Sequence, residues 1–337
     1  MSAIEFYAIT LGVFACFNAI QALGFNLQFG VAGIINLAYI LLVAVGAYAT
    51  AIASVGPPGP HSFETYVGGF EWPFPLNLLF GVACALAVGA LLGYTALRRL
   101  RHDYLALTLV ALAQGMQIFA GSNIGFLDGV TGITNVPGPW ADQLTQAQFG
   151  WLFLAISAVT LGGVYIFVSR LTNSPFGRAL RAVRDDETGT AALGKSTWRL
   201  RFAAFIIGAG LAGLAGGLTV LYTGGWNPYA WLPTESAILL AAIIVGGRGR
   251  NAGAVLGAAV IMVGAAQAST FLPVIGPAQL LPALQIAAVG VIVLAFLWWR
   301  PEGLLPERRE RFPKRSELKP VQEDAVHLES LTEPSPK

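Results

Sequence analysis

The sequence predicts an all-α polytopic membrane protein with about nine spans, in a range of eight to ten, each of the length a bilayer requires. Three observations carry this. Of 337 residues, 55% are hydrophobic and only 11% are charged, against roughly 25% charged in soluble domains. The apolar residues come in continuous blocks of about 20, which suits a helix crossing a bilayer and lacks the alternation of a membrane β-barrel. The basic residues are confined to clusters: none precedes Arg98, and they then fall at Arg98, Arg99 and Arg101, from Arg170 to Arg201, at Arg248 and Arg250, and from Arg300 onward. The loops at 55–75, 122–148, 223–234 and 272–280 contain no Lys or Arg. Basic residues accumulate on the cytoplasmic side, so the clusters are assigned inside and these loops outside. The N-terminus is then external and the C-terminus cytoplasmic.

The first span is expected near 4–24. It lacks the basic leader of a cleavable signal peptide, so it stays in the membrane. The stretch 26–54 is too long and too glycine-rich for one plain helix. It holds Gly30, Gly33 and Gly46, with Asn26, Gln28 and Asn36 among apolar residues, and is read as a short cytoplasmic or partly buried entry followed by a broken helix. Irregular backbone at membrane depth requires protein cover or a wet cavity, while glycines also serve close helix packing. Both roles remain open for these glycines.

A Pro-rich external loop with a solvated His61 follows, and then spans near 76–97 and 104–120. Gln114 and Gln117 share a face of the latter and suit interhelical hydrogen bonding. The loop 121–150, holding FLDGVTGITNVPGP, reads as turns. Further spans are expected near 151–169 and 202–222, the latter with a small-residue packing face at Gly208, Ala212 and Gly216. A short apolar stretch at 232–245 ends in VGGRGRNAGAV, making 232–252 a second broken segment. Spans near 252–271 and 280–299 complete the set. Residues 1–300 form the transmembrane domain, and 301–337 a polar, Pro-containing cytoplasmic tail expected to be disordered. Two interrupted segments in opposite halves are the best sequence pointer to a transport pathway.

The internal loop 171–201 is the one long polar interruption. Its core, SPFGRALRAVRDDETGTAALG, covers 174–194. Ser174 is read as a helix cap, with Pro175 at the first helical position. Phe176, Leu180 and Val183 form an apolar stripe, and Arg178, Arg181 and Arg184 an adjacent basic one. Asp185, Asp186 and Glu187 reverse the charge. Asp186 caps a second short helix through Leu193, and Gly194 stops it. Such a segment suits an interfacial helix with arginines at lipid headgroups. It equally suits a knob that docks into a cytosolic protein.

Several chemistries find no support. There is no G-x-x-x-x-G-K-[ST] phosphate loop, so ATP is not bound in that way. Cys16 and Cys84 lie inside apolar runs and read as buried small residues, with no disulfide or metal motif. The acids Glu5, Asp103 and Glu235 lie near span ends, which argues against a proton relay. No nucleophile or metal site suggests an intramembrane enzyme, and no nucleic-acid partner is expected.

The chain resembles the permease subunits of bacterial branched-chain amino acid ABC importers (the LivH/LivM family), and LivM more than LivH. The resemblance rests on ordered blocks: ALGFNLQFGVAGIINLAYILLVAVGAYATA, RLRHDYLALTLVALAQ, DGVTGITNVP, GRALRAVRDDETGTAALG with FAAFIIGAGLAGLAGGL, VGGRGRNAGAVLGA and RPEGLL. It implies a bacterial inner-membrane importer subunit with no enzymatic activity and no cofactor of its own. A second permease, two cytosolic ATPases carrying ATP and Mg, and a periplasmic or lipid-anchored binding protein would be its partners, with membrane lipid around it. It also implies that Gly177, Arg178, Arg181, Arg184, Asp186, Glu187 and Gly194 fall on the ATPase contact. Gly30, Gly33, Asn36 and Tyr39 would fall on the substrate pathway. Gly189 stands where the family is usually helix-forming, so the second half of the loop is expected to be less ordered. Arg248 and Arg250 replace residues that are usually uncharged. The family also serves urea, short amides and other small solutes, so the solute stays open. A passive channel, an ion-coupled transporter and a non-conducting scaffold are the readings from other classes.

Overall fold

A computed structural model describes residues 3–58, 65–99, 102–265 and 303–306, with isolated positions between 284 and 300. The chain divides into one unit over Met1–Glu307 and another over Arg308–Lys337; the second lies outside the described residues. The described part of the first unit is helical, apart from turns, short loops and two isolated bridges.

Helix α1 (Ala3–Asn26) runs without interruption into a π-helical turn, Leu27–Val31. It therefore does not end near residue 24. The chain then leaves helical geometry at Gly33 (φ +71°) and resumes it in α2 (Tyr39–Ser54). Between them the chain is irregular, with Ile34 and Asn36 buried while Gly33 is half-buried and Ile35 exposed. The interruption expected within 26–54 is thus confined to about residues 32–38. Gly46 does not interrupt α2; it packs against the backbone of Gly213.

Helices α3 (Leu76–Arg99) and α4 (His102–Ser122) follow, and a short α5 (Ile124–Leu127) begins the next loop. Helix α6 (Gln146–Asn173) starts in a capping box: the Thr145 hydroxyl accepts from the Gln148 amide while the Gln148 side chain accepts from the Thr145 amide. It is longer at both ends than the apolar run, because the cap and the following corner fix its limits. Two short helices, α7 (Pro175–Asp185) and α8 (Glu187–Ala192), precede α9 (Thr197–Thr223). Helix α10 (Pro233–Gly246) is regular, and its interruption lies after it, at 247–250. Helix α11 (Asn251–Ala258) continues as a π-helix, Ala259–Ala265. Much of the expected last span, 280–299, and the loop at 272–280 lie outside the described residues, as do His61 and nearly all of the tail.

Among the described residues, six helices are long and apolar enough to cross a membrane, and Tyr39–Ser54 and Asn251–Met262 are shorter apolar helices. Among these six, α9 is the most enclosed, with 83% of its most apolar window buried, against 22% for α6. Its small-residue face explains this. Gly213 meets Gly46, and a side chain at Gly216 would collide with the Val43 carbonyl. Backbones at this distance gain dispersion contact that larger residues would prevent. The other core face is aromatic: Phe14, Phe17, Phe149 and Phe153 surround Tyr222. On α4, Gln117 makes the expected bond to another element, donating to the Pro228 carbonyl at 3.0 Å, whereas Gln114 donates to Gln117 within the helix.

Candidate coupling site

The polar loop folds into a corner and two short helices. The corner requires Gly177, because a side chain there would collide with the Thr172 carbonyl at the end of α6. Pro175 occupies the first turn of α7, where its missing N–H costs nothing. Ser174 does not cap α7, however; its hydroxyl donates to the Leu171 carbonyl at 2.7 Å, closing α6 instead. Leu180 and Val183 are buried and Phe176 half-buried, so the apolar stripe faces the helix bundle.

The basic stripe splits in two. Arg178 is exposed, whereas Arg181 and Arg184 are half-buried. Arg184 turns inward: its Nη1 donates to the Gly30 carbonyl at 2.5 Å, and its Nε pairs with Asp185 at 3.0 Å. The charge reversal at Asp186 does cap α8. Its carboxylate accepts from the Gly189 amide at 3.0 Å and the Thr188 hydroxyl at 2.7 Å. These bonds, the Gly189 amide foremost, hold the Asp186 carboxyl below its usual range. Gly189 therefore does not loosen this half of the loop. Helix α8 runs through Gly189, and a side chain there would meet only the exposed end of the Asp186 carboxylate, at 2.5 Å. Glu187 ties α8 to the start of α9 through Arg201 at 3.1 Å. Exposed Gly194, at φ +77°, ends the segment.

Gly30, the acceptor of Arg184, lies in the π turn at the first break. Its close neighbour is the Asn26 carboxamide, which accepts from the Gly249 amide at 2.9 Å. Gly249 belongs to the second break, at 247–250. Asn26 also donates to Asn251 at 3.3 Å, and Asn251 donates to Ser169 and Thr172 of α6 at 3.2 Å each. Six groups thus form one connected junction: α7, the first break, the second break, the α11 N-terminus, α6 and the corner held by Gly177. The second break is held from its far side as well. The Leu304 and Leu305 amides donate to the Val245 and Gly246 carbonyls at 2.8 and 3.0 Å. Residues 303–306 are thus packed against the bundle.

The first break satisfies its backbone largely without regular helix, as burial demands. Ala32 and Ile34 donate back to Leu27 and Gln28. The Asn36 carboxamide accepts from the Ala38 amide at 3.1 Å and donates to Gln28 at 3.0 Å, and Gln28 donates to the Phe205 carbonyl of α9 at 2.8 Å. Ser236 of α10 accepts from the Ile40 amide at 3.1 Å, capping α2 from another element.

Of the residues expected on a pathway, Gly30 and Gly33 stand beside Arg184; a side chain at Gly33 would meet its Cγ at 2.9 Å. Asn36 and Tyr39 are both fully buried. Asn36 is engaged as described, and the Tyr39 hydroxyl has no hydrogen-bond partner among the described residues. Among the residues expected on one contact surface, Arg178 and Gly194 are exposed, while Gly177 and Arg184 hold the loop to the bundle. Ser169, Thr172, Ser236 and Asn251 were not singled out by sequence. The signal for Asn251 was present: an amide at the first position of an apolar helix, directly after a Gly-rich turn. Among the described residues, no group of three or more His, Cys, Asp or Glu side chains is arranged to hold a metal.

A family model described as branched-chain amino acid transport system, permease component, matches residues 7–298. The high-affinity branched-chain amino acid transport system permease protein LivM of Escherichia coli K12 is 30% identical over 312 residues, covering 86% of this chain and 68% of that protein. The probable branched-chain amino acid transport permease protein LivM of Methanocaldococcus jannaschii is 28% identical, covering 86% of this chain and 90% of that protein. The LivH permease protein of Salmonella typhimurium is 28% identical, covering 85% and 94%. No solved structure gives a significant match.

Proposed function

This chain belongs to the family of branched-chain amino acid transport permeases, and from that premise we propose that it forms half of the membrane pathway of an ABC importer. LivM and LivH relatives imply a second permease beside it. Two cytosolic ATPases, carrying ATP and Mg, would dock on the coupling loops of the permease pair, here on the exposed side of α7 and α8, and a binding protein outside would deliver the solute. Branched-chain amino acids are the proposed cargo, after the relatives' names. The proposed topology has about nine spans, the described helices plus a last one near 280–299. The N-terminus is outside and the C-terminus inside a bacterial inner membrane, with the chain beyond the packed residues 303–306 as a cytoplasmic tail. The basic clusters support that orientation.

One observation carries the coupling role: Arg184, on the short helix, grips the Gly30 carbonyl at the first break. A movement of α7 reaches the break through that bond. It reaches the second break through Thr172, Ser169 and Asn251. Asn26 joins the two breaks, so they shift together. A hydrogen bond to a charged group contributes about 1.5–3 kcal/mol, enough to bias a two-state equilibrium by roughly 10- to 150-fold.

The test is Arg184→Ala in the assembled, reconstituted complex, reading leucine uptake and ATP hydrolysis together. The expected result is hydrolysis within about twofold of wild type and uptake lowered at least tenfold, a change in the ratio that a general folding defect does not produce. Unchanged uptake, or equal loss of both activities, overturns the role.

A further inference from the structure

The other end of α2 carries a second feature, whose geometry does not depend on the coupling role proposed for Arg184. A cavity of about 700 Å³ lies among the turn after α2, the loop 66–77 and the loop 134–140. Helix α2 separates it from the Arg184 junction by about 24 Å, at 1.5 Å per residue.

Its walls are fixed. The Trp72 amide donates to the Ala53 carbonyl at 2.8 Å and the Glu71 amide to the Val55 carbonyl at 3.2 Å. The Tyr66 hydroxyl donates to the Gly56 carbonyl at 2.7 Å. The Asp128 carboxylate accepts from the Thr65 amide at 3.1 Å and so clips the two loops together. Among the described residues, Glu71, Asp128, Asn135 and Trp140 have positive φ without being glycine, and all but Asp128 line this cavity. Left-handed backbone at bulky residues is unfavourable, and it persists where the surroundings enforce it, as in ligand clamps.

Its charge has one sign. The loops 55–75 and 122–148 contain Glu64, Glu71, Asp128 and Asp142 and no Lys or Arg. The Glu71 carboxylate lies against the α-carbon of Gly56 and has no ion-pair partner among the described residues. The C-terminal end of α2 lines the same space and adds the negative end of its dipole. The remaining wall is aromatic and proline-rich, with Trp72, Phe74 and Trp140; the last two pack edge to face at 5.9 Å. Aromatic faces attract cations, and a partly enclosed site strengthens the attraction.

We propose that this cavity binds an organic cation, a primary ammonium or guanidinium group, with Glu71 as its counter-ion and the rings of Trp72 and Trp140 as its walls. Two sources present that chemistry: the α-ammonium of an amino-acid solute, or a Lys or Arg side chain of a protein outside the membrane.

The full chain, alone in lipid nanodiscs, is titrated calorimetrically with leucinamide, which keeps the ammonium and lacks the carboxylate, and with 4-methylpentanoate, which lacks the ammonium. Saturable binding of leucinamide but not of 4-methylpentanoate is expected, weakened at least tenfold in Glu71→Gln and severalfold in Trp140→Leu. Competition by leucine identifies the solute as the source. Competition by Nα-acetyllysine amide without competition by leucine identifies a protein side chain. The proposal is overturned if leucinamide does not bind saturably, or if 4-methylpentanoate binds as tightly. It is also overturned if Glu71→Gln, with an unchanged thermal unfolding transition, binds leucinamide within twofold of wild type. The comparison of the two probes on the wild-type chain needs no variant to fold.

Discussion

Asp186 shows how one side chain organises a loop that composition alone leaves ambiguous. Its carboxylate accepts from the Gly189 amide and the Thr188 hydroxyl, and these bonds favour the charged form. The folded pKa is therefore below the unfolded one. The cap's stabilisation is fully present above the ordinary carboxylate range and is lost as pH falls through the depressed pKa. The Gly189 amide should accordingly be protected from hydrogen exchange at neutral pH and lose protection only on acidification below the usual carboxylate range. Asp186→Asn should flatten that dependence. An unchanged pH profile in Asp186→Asn would show that the carboxylate does not hold the turn. Spacing alone made the Asp186 cap and the Gly194 stop legible. The donor role of Ser174 was not, because a serine before Pro175 can close the preceding helix or cap the next. Only the corner at Gly177 decides which.

Among elements, the junction of the two breaks does what neither break does alone. A buried amide hydrogen bond contributes about 1 kcal/mol, but orphaning its partner costs about 1–3 kcal/mol. Asn251 has Asn26, Ser169 and Thr172 as partners, on two separate elements. Asn251→Leu should therefore destabilise the protein by about 1–3 kcal/mol. In a double-mutant cycle with Thr172→Val, read by thermal unfolding, the two sites should couple by about 0.5–3 kcal/mol. Additivity within about 0.3 kcal/mol would mean α6 and α11 are not joined through this pair. The breaks themselves were legible as glycine-interrupted segments, though their positions moved. The first lies after a π turn that sequence periodicity does not distinguish from ordinary helix. The second follows Gly246, since α10 is regular up to that point. That the two meet was not legible. The Asn26–Gly249 contact joins residues more than 200 positions apart, and local pattern carries no information about such pairs.

For the whole molecule, hydropathy and charge placement made the helical class plain, and ordered blocks made the family plain. They did not show that α7 is bound to the first break. Arg184 read as one more outward cation in a three-residue repeat, and its inward turn depends on Gly33 leaving room beside it and on the Gly30 carbonyl as acceptor. The central claim is that α7 and the first break move as one body when the ATPases close. Spin labels at Arg178→Cys, exposed on α7, and Ile35→Cys, exposed in the break, report their separation, with Cys16 and Cys84 replaced. A second pair joins Arg178→Cys to Val67→Cys, an exposed residue beyond the far end of α2. The measurement is made in the assembled complex with and without trapped ATP. The account predicts that the 178–35 distance stays constant while the 178–67 distance changes. A 178–35 distance that shifts with nucleotide as much as the 178–67 distance does would contradict it.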